Sequence, residues 1–146
     1  MIFESFPNEI FFEIFQYFSA QELFSTFAVL NRRFDLLLQS FYALSLVLRT
    51  PPRADEISFS FVRFLTIDRA VHVDLQLFPR LRRLTIRYPT DRILEQILLG
   101  NLPPIEDFSL NYLHRASLHW ISRIFSTIFS NALPQLISCD LFQWLS

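Results

Sequence analysis

Lysine is absent from this chain, so all 13 cationic side chains are arginines. Glycine occurs once, at Gly100, and cysteine once, at Cys139. Phosphate-cradling loops and dinucleotide fingerprints need several glycines, because backbone must approach the ligand closely, and a single glycine excludes them. One cysteine excludes an internal disulfide framework and a Cys-rich zinc site. Charged residues make up only 18%, and 13 arginines against 14 acids leave a net charge of −1, which gives no general pull toward nucleic acid or an anionic membrane. Long apolar runs are also missing. The longest, 36–48, is broken by Gln39, Ser40 and Ser45 and falls short of the roughly 20 residues that span a bilayer. Met1-Ile2-Phe3-Glu4 carries no basic segment ahead of an apolar one, so it does not read as a signal peptide. A reducing, intracellular setting is expected, cytoplasmic and/or nuclear.

What the chain has in abundance is apolar material, 51% of residues including 18 phenylalanines, enough to build a core and to rule out wholesale disorder. Its 146 residues suit one ordinary domain or two small ones. Thr50-Pro51-Pro52-Arg53 marks a break, since consecutive prolines lack amide donors and force extended backbone before them. Before it the pattern is helical. Pro7 suits a first helical turn, and Ile10, Phe11, Ile14, Phe15 and Phe18 follow at helical spacing. Ser19 and Glu22 have the spacing of a reciprocal capping box, ahead of a second helix carrying Leu23, Phe24, Phe27 and Leu30. A third helix is expected from about Asn31 through Phe34, Leu37, Leu38 and Phe41. The run Leu44-Ser45-Leu46-Val47-Leu48 predicts a strand leading into the second half.

The second half repeats itself. Phe78-Pro79-Arg80-Leu81-Arg82-Arg83-Leu84-Thr85-Ile86 matches Leu102-Pro103-Pro104-Ile105-Glu106-Asp107-Phe108-Ser109-Leu110, and both match Leu133-Pro134-Gln135-Leu136-Ile137-Ser138-Cys139-Asp140-Leu141. A weaker copy without proline lies at Val62, Leu65 and Ile67. Helical segments at 91–99 and 117–131 separate the copies. This frame resembles a divergent leucine-rich repeat, in which stacked strand–crossover units share a core that none could form alone. The resemblance implies parallel strands centred near Leu65, Leu84, Phe108 and Cys139. The chain stops at Gln143-Trp144-Leu145-Ser146 without a polar cap, which predicts an incomplete repeat region or an end covered by a partner.

The first half resembles an F-box. That family opens with Leu-Pro, then Glu-Ile/Leu, an Ile-Leu pair and Tyr-Leu. Here Phe6-Pro7, Glu9-Ile10, Ile14-Phe15 and Tyr17-Phe18 occupy those places. Glu22-Leu23-Phe24 answers the Asp-Leu-Leu of the second helix, and Leu30-Asn31-Arg32-Arg33-Phe34 its close, with one extra residue and without the family's Cys and Trp. The fold class expected is therefore mixed α+β/α/β: an N-terminal three-helix F-box over 1–50 and a short leucine-rich-repeat-like solenoid with parallel strands over 51–146. The resemblance implies docking on a Skp-family adaptor, and through it a cullin–RING ligase, by Phe6, Pro7, Glu9, Ile10, Ile14, Phe15, Leu23, Leu30 and Phe34. Which of these face the adaptor rather than the internal core is left open by the sequence. The repeats would hold a target protein through Phe64, Asp68, Arg83, Arg87, Asp107, Asn111, Asp140 and Phe142.

Neighbouring rungs also place Asp68 beside Arg87 and Arg83 beside Asp107, so these charges can satisfy one another instead. The cluster Arg80, Arg82, Arg83 and Arg87 reads as a solvated or ion-paired strand face rather than a phosphate site. His72, His114 and His119 have no close-spaced acidic or cysteine partner, and Cys139 occupies an apolar repeat position. No enzymatic activity, metal or cofactor is expected. The alternatives are an interaction scaffold that uses the F-box without ubiquitination, or a small hydrolase on the strand face.

Overall fold

Pro7 has extended backbone (φ −58°, ψ 152°) and stands at the N-cap of α1 (Asn8–Phe15), its carbonyl accepting from the Ile10 amide at 3.2 Å. The computed structural model describes residues 5–28, 30–52, 57–100, 102–111, 122–124, 126–127 and 138–141. The helix stops a turn before Phe18. Ser19 must be extended (φ −69°, ψ 160°) to cap α2 (Ala20–Phe27), so Tyr17 and Phe18 close back onto Ile14 and Phe15 instead. The Ser19–Glu22 capping box forms in both directions: the Ser19 amide donates to Oε2 of Glu22 at 2.8 Å, and the Glu22 amide donates to Oγ of Ser19 at 3.3 Å. Asn31 caps α3 (Arg32–Ser40) by accepting from the Arg33 and Phe34 amides at 3.0 and 3.2 Å.

The three helices meet around phenylalanine. Phe11 meets Phe34 edge to face at 5.0 Å between ring centres, Phe15 lies 5.2 Å from Phe27 and 5.6 Å from Phe41, and Phe27 lies 5.4 Å from Phe34. Such pairs add about 0.5–1.5 kcal/mol beyond the area they bury, which is how phenylalanine serves where leucine is usual. Arg33 ties the ends together. Its guanidinium donates to the Phe6 carbonyl and to Oδ1 of Asn8 and lies over the Phe11 ring at 5.3 Å.

Five strands follow, β1 (Ser45–Leu48), β2 (Phe64–Ile67), β3 (Arg83–Ile86), β4 (Asp107–Leu110) and β5 (Ser138–Leu141). They form one parallel sheet in chain order. The parallel strands expected near Leu65, Leu84, Phe108 and Cys139 are therefore present, and β1 adds a rung before them. Register is continuous, so Leu46, Leu65, Leu84, Phe108 and Cys139 form one column and Leu48, Ile67, Ile86, Leu110 and Leu141 another. The entry to each rung repeats as well. The Arg63 and Phe64 amides share the Leu44 carbonyl, those of Arg82 and Arg83 share Arg63, and those of Glu106 and Asp107 share Arg82.

β1 lies ahead of Pro51 and Pro52 and pairs with β2 beyond them. Buried residues run without a break from Phe11 through Leu46 to Leu110, and Phe24 of α2 stacks on Phe61 at 6.0 Å. Partner residues on β1, β2 and β3 are 19 positions apart. Among the described residues those connections hold 3-10 turns, Ile57–Phe61 and Leu75–Leu77, which the sequence pattern did not indicate. The β3–β4 step is 24 positions and holds α4 (Asp91–Leu98), close to the helical segment expected at 91–99. Gln96 of α4 accepts from the Leu75 amide and donates to the Val73 carbonyl, both at 2.9 Å, fixing the helix to the preceding crossover. Gly100 (φ +69°) turns the chain out of α4 in the left-handed conformation. Of the segment expected at 117–131, residues 122–124 and 126–127 are helical and Ile124 is buried; the rest lies outside the described residues. Among the described residues no helix is long and apolar enough to cross a membrane.

The capping box generates a test. Ser19→Ala should cost about 1 kcal/mol of stability at neutral pH, read from the midpoint of urea unfolding. Hydrogen bonds from the Ser19 amide and hydroxyl hold the Glu22 carboxyl below its ordinary value of 4.5. A carboxyl depressed on folding stabilises above its unfolded value and loses that contribution as pH falls through the folded one. The difference between parent and variant should therefore narrow below about pH 4.5; a constant difference down to pH 3 would show that the Ser19 hydroxyl does not help to hold the Glu22 carboxylate.

Candidate functional site

Two surfaces stand out, one on the helices and one on the sheet. On α1 the helical period places Phe11 and Phe15 inward and leaves Ile10, Ile14 and Tyr17 on an adjacent stripe. Ile10 is 44% exposed, and Pro7 and Glu9 beside it are also exposed. Leu30, in the turn before α3, is 57% exposed, whereas Phe6 and Ile14 are half-buried. Burial divides these residues into two sets. Phe15, Leu23 and Phe34 are fully buried and build the helical core, so they are out of a partner's reach in this conformation. Pro7, Glu9, Ile10 and Leu30 are accessible.

On the sheet, side chains opposite the buried columns stand in rows. The first row runs Ser45, Phe64, Arg83, Asp107, and the second Val47, Thr66, Thr85, Ser109. Just beyond the strand ends, continuation of the register gives a third row, Arg49, Asp68, Arg87, Asn111. The backbone amides follow suit: those of Asp68, Arg87 and Asn111 donate to Leu48, Ile67 and Ile86. In the first row Arg83 lies over the Phe64 ring at 5.0 Å and donates to Oδ2 of Asp107 from Nη2 at 2.9 Å. Arg82 pairs with Glu106 alongside. In the third row Asp68 is shared, receiving Arg49 Nε on Oδ2 at 3.0 Å and Arg87 Nη1 on Oδ1 at 2.7 Å.

The internal pairing of Asp68 with Arg87 and of Arg83 with Asp107 is therefore realised across the rungs. Arg80 does not join these pairs; it lies over the Phe61 ring at 5.4 Å, so the four clustered arginines disperse to four different partners. Asn111 is partly buried, and its Oδ1 has no hydrogen-bond partner among the described residues. Asp140 lies in β5, where only the backbone is described, and Phe142 lies outside the described residues.

Sequence reading overlooked Arg49, Arg69 and Tyr88. Asp68, Arg69, Ala70 and Tyr88 line an open cleft of about 450 Å³ at the carboxyl end of β2 and β3. The spacing that places Arg49 beside Asp68 equals the spacing from Asp68 to Arg87. Carrying the repeat one rung back from Leu65 to Leu46 would have found it.

His72 is exposed and makes no hydrogen bond to the described residues, while His114 and His119 lie outside them. Cys139 stands opposite Phe108 in the β4–β5 register. Among the described residues no group of three or more His, Cys, Asp or Glu side chains could hold a metal ion.

The shared carboxylate makes a pH prediction. Hydrogen bonds from Arg49 and then Arg87 hold Asp68 below its ordinary value of 3.8. Ionised Asp68 therefore stabilises the fold above that value, and its contribution fades as pH falls through the lower folded value. Arg49→Gln should raise the Asp68 pKa toward the ordinary value, followed by carboxyl-carbon NMR titration. An unchanged titration would mean that the Arg49 contact does not persist in solution.

Compared with protein families, with curated proteins and with solved structures, the chain finds no match in any of the three.

Proposed function

We propose that this chain is a non-catalytic substrate-recognition subunit of a cullin–RING (SCF-type) ubiquitin ligase, an F-box followed by a divergent leucine-rich-repeat solenoid. One observation carries the reading. The three helices pack around a cluster of phenylalanines and still present Pro7, Ile10 and Leu30 to solvent, at positions that answer the F-box pattern. Fully burying a side chain of the Ile or Leu kind contributes roughly 1.5–3 kcal/mol, so covering the exposed halves of Ile10 and Leu30 would yield a useful part of a docking energy. Glu9 beside Ile10 would lie at the polar border of that contact.

The sheet supports the second half of the reading. Chain-order parallel rungs with one unbroken register, entered each time by the same paired amides, are what a stacked repeat produces. Its outer rows would face the target. The ligase mechanism needs no chemistry from this chain: the helices hold the adaptor, the rungs hold the target, and the target's lysines gain a high effective concentration at the ubiquitin-charged enzyme.

Pro7→Ala combined with Ile10→Ala should weaken binding to a Skp-family adaptor by at least about tenfold, as expected for residues at the centre of a small contact. Both side chains are exposed, so the urea midpoint of the isolated variant should stay near that of the parent. A titration with purified adaptor, read by interferometry, checks this. Equal affinity of parent and variant, or no affinity of the parent for the adaptor–cullin assembly, sinks the proposal. Adaptor binding without ubiquitin transfer to any captured protein would favour the scaffold alternative.

A further inference from the structure

The third row carries a charge imbalance that internal pairing does not remove. Arg49, Arg69 and Arg87 gather at the carboxyl end of β1–β3 around the single carboxylate of Asp68, in a protein whose net charge is −1. Asp68 is only 17% exposed at its side chain, whereas Arg49 and Arg87 are 69% and 51% exposed. Each guanidinium has five N–H donors. Arg49 commits only Nε and Arg87 only Nη1, so their remaining donors meet no side chain among the described residues. Arg69 forms no ion pair with any of them and lines the 450 Å³ cleft with Tyr88, a residue 44% exposed. The opposite edge differs. There Arg82 and Arg83 each have a carboxylate of their own, and Arg80 has the Phe61 ring.

We propose that the carboxyl-end edge of β1–β3 is a recognition site for an acidic peptide segment, whose side-chain carboxylates are taken by Arg49, Arg69 and Arg87 while its backbone lies along the cleft beside Tyr88. Guanidinium forks suit carboxylates in geometry as well as charge. Asp68 has two parts in this. It aims the two flanking arginines, and it competes with the ligand for them. The inference deepens the proposed receptor role and rests on it for the identity of the ligand as a target protein. Binding is measured without adaptor, so a failure of adaptor docking leaves this result untouched.

The test uses the full chain and three fluorescein-labelled peptides: one rich in Asp and Glu, its Asn and Gln counterpart, and a phosphoserine counterpart. Anisotropy should report binding of the acidic peptide, none of the amide peptide, and weakening as salt rises. Arg69→Gln and Arg87→Gln should each lower affinity by up to about fivefold, the range of an exposed ion pair, and the double variant by more. Asp68→Asn should tighten binding by removing the competitor. Far-ultraviolet circular dichroism establishes that each variant is folded. Equal binding of acidic and amide peptides, or unchanged affinity in the folded double variant, overturns the site. Binding of the phosphoserine peptide alone would assign the arginines to phosphate and overturn the acidic-segment assignment.

Discussion

In a strand of four residues two side chains face the core and two face outward, and each strand here is locked to its neighbours position for position. That register is the constraint on which the rest of the structure depends. A slip of one residue in β3 would turn Arg83 and Thr85 into the column now filled by Leu46, Leu65 and Phe108, and would expose Leu84 and Ile86. The cost would be several kcal/mol in lost burial alone, since each such side chain contributes roughly 1.5–3 kcal/mol. Pairing of charges along the outer rows is a consequence of this arrangement and adds little to it, because exposed ion pairs contribute about 0–1 kcal/mol each. Apolar columns set the register, and register then decides which arginine meets which acid.

The helices depend on the same sheet. Among the described residues β1 has β2 on one side and no strand on the other, and α2 packs against it, with Phe24 stacked on Phe61 of the following crossover. An uncovered first rung would leave an edge open to pairing with another chain. The three-helix unit thus has two faces of different character. Phe11, Phe15, Leu23 and Phe34 look inward and join the common core, while the Ile10 stripe looks away from it. A contact on that outer stripe therefore leaves the residues that support the first rung in place.

Strong local signals were legible in the sequence. Pro7, the Ser19–Glu22 pair and Asn31 mark the three helix starts because capping chemistry acts within a few residues, and the apolar alternation of Leu44 to Leu48 marks β1. Parallel pairing near Leu65, Leu84 and Phe108 was legible because the Pro-frame repeats. The 3-10 turns were not, since Ile57-Ser58-Phe59-Ser60-Phe61 alternates like a strand and turns only because a 19-position rung has no room for more. Arg33 and Gln96 escaped notice for another reason. Each works through contacts with residues more than twenty positions away, and nothing in their immediate neighbours records that. At the candidate site, Asp68 and Arg87 were legible from the neighbouring rungs of the repeat, whereas Arg49 was not, because the rung that carries it lies ahead of the repeated frame.

The absence of lysine has its structural meaning here. An ammonium is a compact point charge that turns its three donors toward one partner, whereas a guanidinium is a planar fork whose edges point in different directions. Asp68 can hold Arg49 through Nε and Arg87 through Nη1 because each contact uses one edge and leaves the other facing outward. Lysines at the same two places would close onto the carboxylate and present mainly their stems. With arginine, the Asp68 contacts orient the cations without using up their donors. Asp68 is thereby paired within the fold while both arginines keep donors that no described side chain takes up.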